Sequence, residues 1–201
     1  GVPSTFSNRI KYDNAGNMTN LGELQHGYDE YDVTQWQLTG VRFFERFLGA
    51  DRYTFIGEVA VSKVHGLVGL DEQRYGRNPV FGKCLTVADQ NALGNPTAAL
   101  DINCEGFVTS SSWGYRTRLV GEYNNVFAGW NVSPTIAFGH DVHGYSANSN
   151  FIEGRKTIGL SVDFSYLSKY KIGVAYNITD GAAYDPADDR DFAAISFSYS
   201  F

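Results

Sequence analysis

Four groups of residues have the types and spacing that could do chemistry. His140-Asp141-Val142-His143 invites a metal, but two histidines three apart suit a helix better than a strand, where positions i and i+3 face opposite sides. Asp180, Asp185, Asp188, Asp189 and Asp191 crowd one polar stretch. Hard oxygen ligands of this kind bind calcium, or the divalent ions that bridge lipopolysaccharide, yet the spacing is not that of an EF-hand and lacks its glycine. A solvated acidic loop is the simpler reading. Serines are numerous, but no Gly-x-Ser-x-Gly elbow accompanies them, so no catalytic residue, no metal site and no cofactor is assigned, and the chain is read as a non-enzyme. Cys84 and Cys104 lie in one polar segment; in a secreted chain such a pair predicts a disulfide, closing a loop of about twenty residues and contributing roughly 3 kcal/mol. In a cytosolic chain the same pair would be free thiols.

The elements that position these residues are strands. Period-two alternation dominates. In Lys156–Leu167, Ile158, Leu160, Val162, Phe164 and Tyr166 alternate with Thr157, Gly159, Ser161, Asp163 and Ser165. In Tyr170–Thr179 one face is Tyr170, Ile172, Val174, Tyr176 and Ile178. At the end of the chain Ile195, Phe197, Tyr199 and Phe201 alternate with serines. Trp130–Val142, Trp113–Asn125 and Tyr53–Val64 follow the same rule, Val33–Arg46 slips near Gly40 as at a bulge, and Thr5–Tyr12 is a weaker first strand. About eight strands of roughly ten residues result, the length a tilted strand needs to cross a bilayer.

The connections sort by length. Phe47–Arg52, Val126–Gly129 and Ser168–Lys169 are short; Asp13–Tyr31, His65–Ser112, His143–Gly154 and Asp180–Arg190 are long and polar. Aromatics gather beside the short turns (Phe43, Phe44, Phe47, Tyr53, Tyr123, Phe127, Trp130, Tyr166, Tyr170, Phe201), with a looser set near the long loops (Tyr12, Trp36, Trp113, Tyr115, Phe138, Phe192). Two aromatic girdles, short turns on one side and long loops on the other are the pattern of an outer-membrane barrel; a soluble sandwich has no reason to sort its loops. The fold class expected is therefore all-β: an antiparallel up-and-down transmembrane β-barrel occupying residues 1–201 as one domain, or the C-terminal part of a larger barrel. The soluble alternative is a barrel with its apolar face turned inward.

Composition agrees. Of 201 residues 43% are hydrophobic and 15% aromatic, with 22 glycines against 5 prolines, as turn-rich strands require. The net charge of −6, without a basic stripe, argues against nucleic acid. No apolar run is long enough for a transmembrane helix. The chain opens at Gly1-Val2-Pro3, without initiator Met or signal peptide, as a processed product or fragment would. The polar face carries Arg9, Lys11, Glu58, Arg116, Arg118, Glu122, Asp163 and Lys171, which in a barrel are lumen-facing charges. If only eight strands close, these must pair; in a wider, wet lumen they need not.

Several stretches carry a family resemblance: His26-Gly27-Tyr28-Asp29-Glu30-Tyr31-Asp32-Val33-Thr34-Gln35; Ser112-Trp113-Gly114-Tyr115-Arg116 through Glu122-Tyr123-Asn124-Asn125-Val126-Phe127; His140-Asp141-Val142-His143-Gly144-Tyr145-Ser146; Asn150-Phe151-Ile152-Glu153-Gly154-Arg155-Lys156; and Asp189-Arg190-Asp191-Phe192. From about Gly22 to Phe201 the chain resembles the C-terminal third of a proteobacterial outer-membrane family catalogued as domain of unknown function number thirteen hundred and two. The resemblance implies a Gram-negative outer-membrane location and contact with outer-membrane lipid and lipopolysaccharide. It also implies a periplasmic partner from a second envelope family and an efflux-type inner-membrane transporter. The function it implies is passage of small hydrophobic or lipid-like molecules. The alternatives are a small structural or surface-exposed barrel without transport and, third, an outer-membrane hydrolase. The family brings no established catalytic residues.

Two expectations attach to single segments. Ile152-Glu153-Gly154-Arg155 matches the recognition sequence of a blood-clotting protease, and as part of a loop it should offer an unpaired backbone for cutting after Arg155. The ending Phe197, Tyr199, Phe201 resembles the signal read by the bacterial barrel-assembly machinery, and it would place Phe201 at the periplasmic interface. Deleting Phe201 is expected to lower the yield of folded, heat-modifiable protein in the outer membrane; an unchanged yield on semi-native gels would refute the assembly-signal reading.

Overall fold

The computed structural model describes residues 13–15, 17–24, 28–70, 74–77, 83–85 and 101–201, with the backbone alone for 83–85 and 101–105. The proposed first strand Thr5–Tyr12, with Arg9 and Lys11, lies outside the described residues, as does His26. Nine strands are found among the described residues: β1 (Val33–Phe47), β2 (Ala50–Val64), β3 (Lys83–Leu85), β4 (Asp101–Glu105), β5 (Ser111–Phe127), β6 (Trp130–His143), β7 (Lys156–Tyr166), β8 (Tyr170–Asp180) and β9 (Phe192–Tyr199). Seven form one antiparallel sheet in the order β1-β2-β5-β6-β7-β8-β9; β3 and β4 make a separate hairpin inside the loop that joins β2 to β5. The sequence carries no clear signal for that hairpin, because its strands are short and lack alternation. It brings Cys84 and Cys104 onto neighbouring strands, with Lys83 paired to Glu105 and Leu85 to Asp101. The cysteine side chains lie outside the described residues.

The alternation read from the sequence fixes which side chains share a face. Arg116 pairs with Glu58 and with Gly139, Gly139 with Thr157, and Thr157 with Thr179, so one polar face runs across five strands. The other face carries Leu119, Ile136, Leu160, Tyr176 and their neighbours in register. This apolar face is open: Ile136 is 54% exposed and Ile195 81%. Exposed apolar surface on this scale marks a face built to contact something other than water. β1 and β9 are the two edges, and among the described residues no strand pairs with the free side of either. Among the described residues the antiparallel all-β sheet is thus open; the expectation was a barrel, or the C-terminal part of a larger one.

The short turns follow from backbone chirality. β1 and β2 are joined by Leu48-Gly49 and β5 and β6 by Ala128-Gly129, each pair with positive φ at both residues. That is the two-residue hairpin whose twist matches the strands, and the glycine relieves the second position. Rings line this end. Phe127, Trp130, Tyr166, Tyr170, Tyr199 and Phe201 form a continuous ladder, with successive centroids 6.2, 5.2, 6.4, 5.0 and 6.0 Å apart. Phe47, Tyr53 and Tyr123 make a second run of rings at this end, and the Tyr53 and Tyr123 hydroxyls lie 2.6 Å apart.

Expectations are corrected at three places: the bulge at Gly40, and the girdle positions of Phe43 and Phe192. No bulge occurs at Gly40: β1 and β2 keep one register from Val33↔Val64 to Glu45↔Arg52, with Gly40 opposite Gly57. The pattern slips there because side chains, not backbone, break the alternation. Arg42 stands on the apolar face beside Phe44, and Phe43 turns to the polar face under the Arg52 guanidinium, 5.8 Å away. The irregularities fall instead in the β5–β6 pairing, between Trp113 and Gly114 and between Tyr123 and Phe127. Phe192, assigned to a girdle, pairs with Asn177 and faces the polar side.

The ladder predicts a measurable cost. Trp130 stacks on two rings, and aromatic pairs contribute about 0.5–1.5 kcal/mol each beyond area burial. Trp130→Ala is expected to destabilise the folded protein by about 3 kcal/mol or more once lost burial is added, read from urea unfolding. A change under about 0.5 kcal/mol, the level of an ordinary surface substitution, would show that the stacking is incidental.

Candidate functional site

The polar face and the long loops meet at Asp141. Its parity places it on the polar face of β6, opposite Gly114, where a side chain would collide with the His140 carbonyl and with Asp141 itself. The carboxylate is completely buried yet fully answered. Oδ1 accepts from Arg116 Nη2 at 2.6 Å; Oδ2 accepts from Arg155 Nε at 2.8 Å and from the Ile152 backbone N–H at 3.1 Å. The Asp141 backbone donates to Arg155 O and accepts from Gly154 N. A buried charge is tolerated only with such partners, and losing one costs about 3–5 kcal/mol.

Around it three of the long loops, β2–β5, β6–β7 and β8–β9, interlock. Tyr145 pairs with Ile152 across the β6–β7 loop, and the Tyr145 N–H donates to Thr109 Oγ1. Arg77, only 2% exposed, donates from Nε to Gly106 O and from Nη2 to Tyr184 O, and its guanidinium lies 4.5 Å from the Tyr145 ring centroid. Burial pulls the Arg77 pKa below its ordinary value, while Tyr145 and Asp185 oppose the shift. Asp185 is itself buried, 3.9 Å from Arg155 Nε. Phe107, Val108, Phe151 and Ile152 supply the apolar filling. The loops read as polar connections therefore hold most of the buried apolar side chains of the described residues.

Below this cap, the polar face forms a groove of about 510 Å³. Its floor is low because Ala137, Gly139 and Gly159 are small; at Gly139 a side chain would meet Thr157 Oγ1 at 2.6 Å and Arg116 Cδ at 2.7 Å. Arg116 uses that space to reach Asp141. Of the other charges expected to face a lumen, Glu58 accepts from Gln37 at 2.6 Å and Thr39 at 3.1 Å, and Glu122 takes both contacts from Arg52 Nη2 at 2.9 and 2.8 Å. Arg118, Asp163 and Lys171 stand on the same face without an ion pair among the described residues. A larger cavity of about 790 Å³ lies on the opposite face near the β1–β2 turn, lined by Phe44, Tyr53, Leu119, Pro134 and Ile136. It opens among the exposed apolar side chains and carries little polar chemistry.

The remaining sequence candidates disperse. His143 Nδ1 lies 3.1 Å from Glu153, whereas His140 packs on the apolar face against the Tyr115 ring at 5.7 Å. Asp191 accepts from the Thr179 N–H, and Asp185 turns inward. Sequence reasoning treated Asp141 as the middle of a histidine pair and missed its role. The available signal was its parity on β6, which aims it at Arg116 one strand away.

The expectation of a cleavable loop is also corrected. Ile152 is 2% exposed, the Arg155 N–H donates to Ile152 O, and the Arg155 side chain is tied to Asp141, so the recognition sequence is neither extended nor free. Folded protein should resist the protease, with cutting after Arg155 only on unfolding. Asp141→Asn, which removes the counter-charge of Arg116 and leaves Arg155 only the more distant Asp185, is expected to destabilise the cap by about 3–5 kcal/mol and raise the rate of that cut by about a hundredfold or more. Equal rates in the variant and the parent would overturn the role given to Asp141.

No curated protein and no solved structure matches this chain. A family model described as Protein of unknown function (DUF1302) matches residues 4–201, beginning earlier than the resemblance from about Gly22. The match covers nearly all of the chain, strands and interlocked loops alike, and the chain belongs to the DUF1302 family.

Proposed function

We propose that this chain forms part of the wall of a bacterial outer-membrane β-barrel that passes small hydrophobic or lipid-like molecules. The observation that carries the reading is the division of one seven-stranded sheet into an exposed apolar face, bounded by a ladder of rings, and a polar grooved face. Strands of 8 to 17 residues suit a tilted crossing of the hydrocarbon layer. In lipid the free edges of β1 and β9 must find partners, because unpaired backbone costs several kcal/mol per group there; further strands, or each other, would supply them. The short turns then face the periplasm and the interlocked loops the outside. In that oxidising setting a Cys84–Cys104 disulfide would lock the β3–β4 hairpin. Lipid and lipopolysaccharide would cover the apolar face, the assembly machinery would insert the strand ending at Phe201, and a periplasmic partner and an inner-membrane transporter would complete the route.

One observation favours a second reading, a capped barrel without transport: the loops fold over the polar face and anchor there through Asp141. Two measurements separate the possibilities. Leu160 and Ser161 are adjacent and face opposite sides. In a bilayer, Leu160→Arg is expected to cost about 2–4 kcal/mol near the midplane and Ser161→Arg far less; equal costs would defeat the membrane-spanning reading. The full-length protein in planar bilayers should then give stepwise conductance, and a sealed bilayer with verified insertion would select the capped reading.

A further inference from the structure

Arg118 differs from the other arginines of the polar face. Arg52 is held by Glu122, and Arg116 and Arg155 share Asp141, whereas Arg118 has no hydrogen bond or ion pair among the described residues. The nearest acid in the register is Glu58, and its carboxylate is drawn toward β1 by Gln37 and Thr39. Arg116, two residues along on the same face, adds a like charge already neutralised by Asp141. In the cross-strand row through Arg118, the neighbours are Ile56 on β2, Ala137 on β6, Gly159 on β7, Asn177 on β8 and Phe192 on β9. A cation thus stands at one side of the groove, beside a floor of small side chains, with an aromatic ring at the far end.

We infer that Arg118 is the anchor of a binding site for the carboxylate of an amphipathic molecule, whose apolar body lies over Ala137 and Gly159 toward Phe192. A guanidinium presents two parallel N–H donors that match a carboxylate. The two-strand floor is about 10 Å wide, enough for an aromatic ring or a short alkyl chain. A neutral hydrophobe gains nothing from Arg118, and a small inorganic anion gains nothing from the floor. The site deepens the transport reading by naming the cargo class: organic carboxylates with an apolar body.

The test uses benzoate against its uncharged isostere benzamide, with the full-length protein in lipid nanodiscs and binding followed by equilibrium dialysis. Benzoate should bind and benzamide should bind at least about tenfold more weakly. Arg118→Gln should lose that preference, while Arg118→Lys, which keeps the charge without the fork, should retain part of it. Ala137→Asp sets a carboxylate directly opposite Arg118 and should abolish benzoate binding with the arginine still present, which guards against a misfolded Arg118→Gln variant. Equal binding of benzoate and benzamide, or undiminished benzoate binding by Ala137→Asp, overturns the site. Benzoate binding without conductance would keep the site and remove the transport reading; conductance without benzoate binding would do the reverse.

Discussion

A side-chain period of two, held in nearly unbroken register across seven strands, governs everything else in this structure. In an antiparallel sheet a slip of one residue would exchange the two faces of a strand. Here the pairing stays in step from β1 to β9 except at the two irregularities between β5 and β6. One face therefore collects Leu119, Ile136, Leu160 and Val174 as an open apolar surface, and the other collects Arg52, Arg116 and Arg118 with acids, serines and small residues. The arrangement is the inverse of a soluble two-layer protein, in which the apolar face would be covered by a second layer.

The buried core is displaced accordingly. Water is excluded chiefly at the loop end, where Phe107, Tyr145, Phe151 and Ile152 pack around two buried charges, Arg77 and Asp141. Asp141 joins this cap to the sheet: one oxygen reaches Arg116 on β5, the other Arg155 and the Ile152 N–H in the loop. Burying a carboxylate is unfavourable in itself, and the gain lies in geometry, since few loop conformations deliver those donors together. The cap and the groove beneath it are consequently coupled. Arg116 lies across Gly139 to reach Asp141, which fixes one wall of the groove and leaves Arg118 without an ion pair among the described residues.

At the opposite end the constraint is different. Tight turns with positive φ bring strand ends close, and rings meet across them from Phe127 to Phe201. Amphipathic rings favour a boundary between hydrocarbon and water, and the ladder crosses β5 to β9 at one level. The two ends of the sheet are thus finished by unlike devices: stacking at the turns, and buried ion pairs with backbone hydrogen bonds at the loops.

Much of this was legible in the sequence, because alternation is a local property. The faces of β7, β8 and β9, the positions of the short turns and the identity of the polar-face charges could be read from residues i and i+2 alone. The assignment faltered where one side chain departs from the rule for a local reason, as Phe43 does beneath Arg52. Only the tertiary structure decided what the long loops do. Arg77 meets Tyr184, 107 residues away, and Thr109 meets Tyr145, 36 residues away. No periodicity encodes such meetings, which depend on where the sheet sets the loop ends. The same holds for pairing: the sequence identified Arg116 and Arg118 as equivalent charges on one face, and only the position of Asp141 in space made one of them a structural tie and left the other without a partner among the described residues.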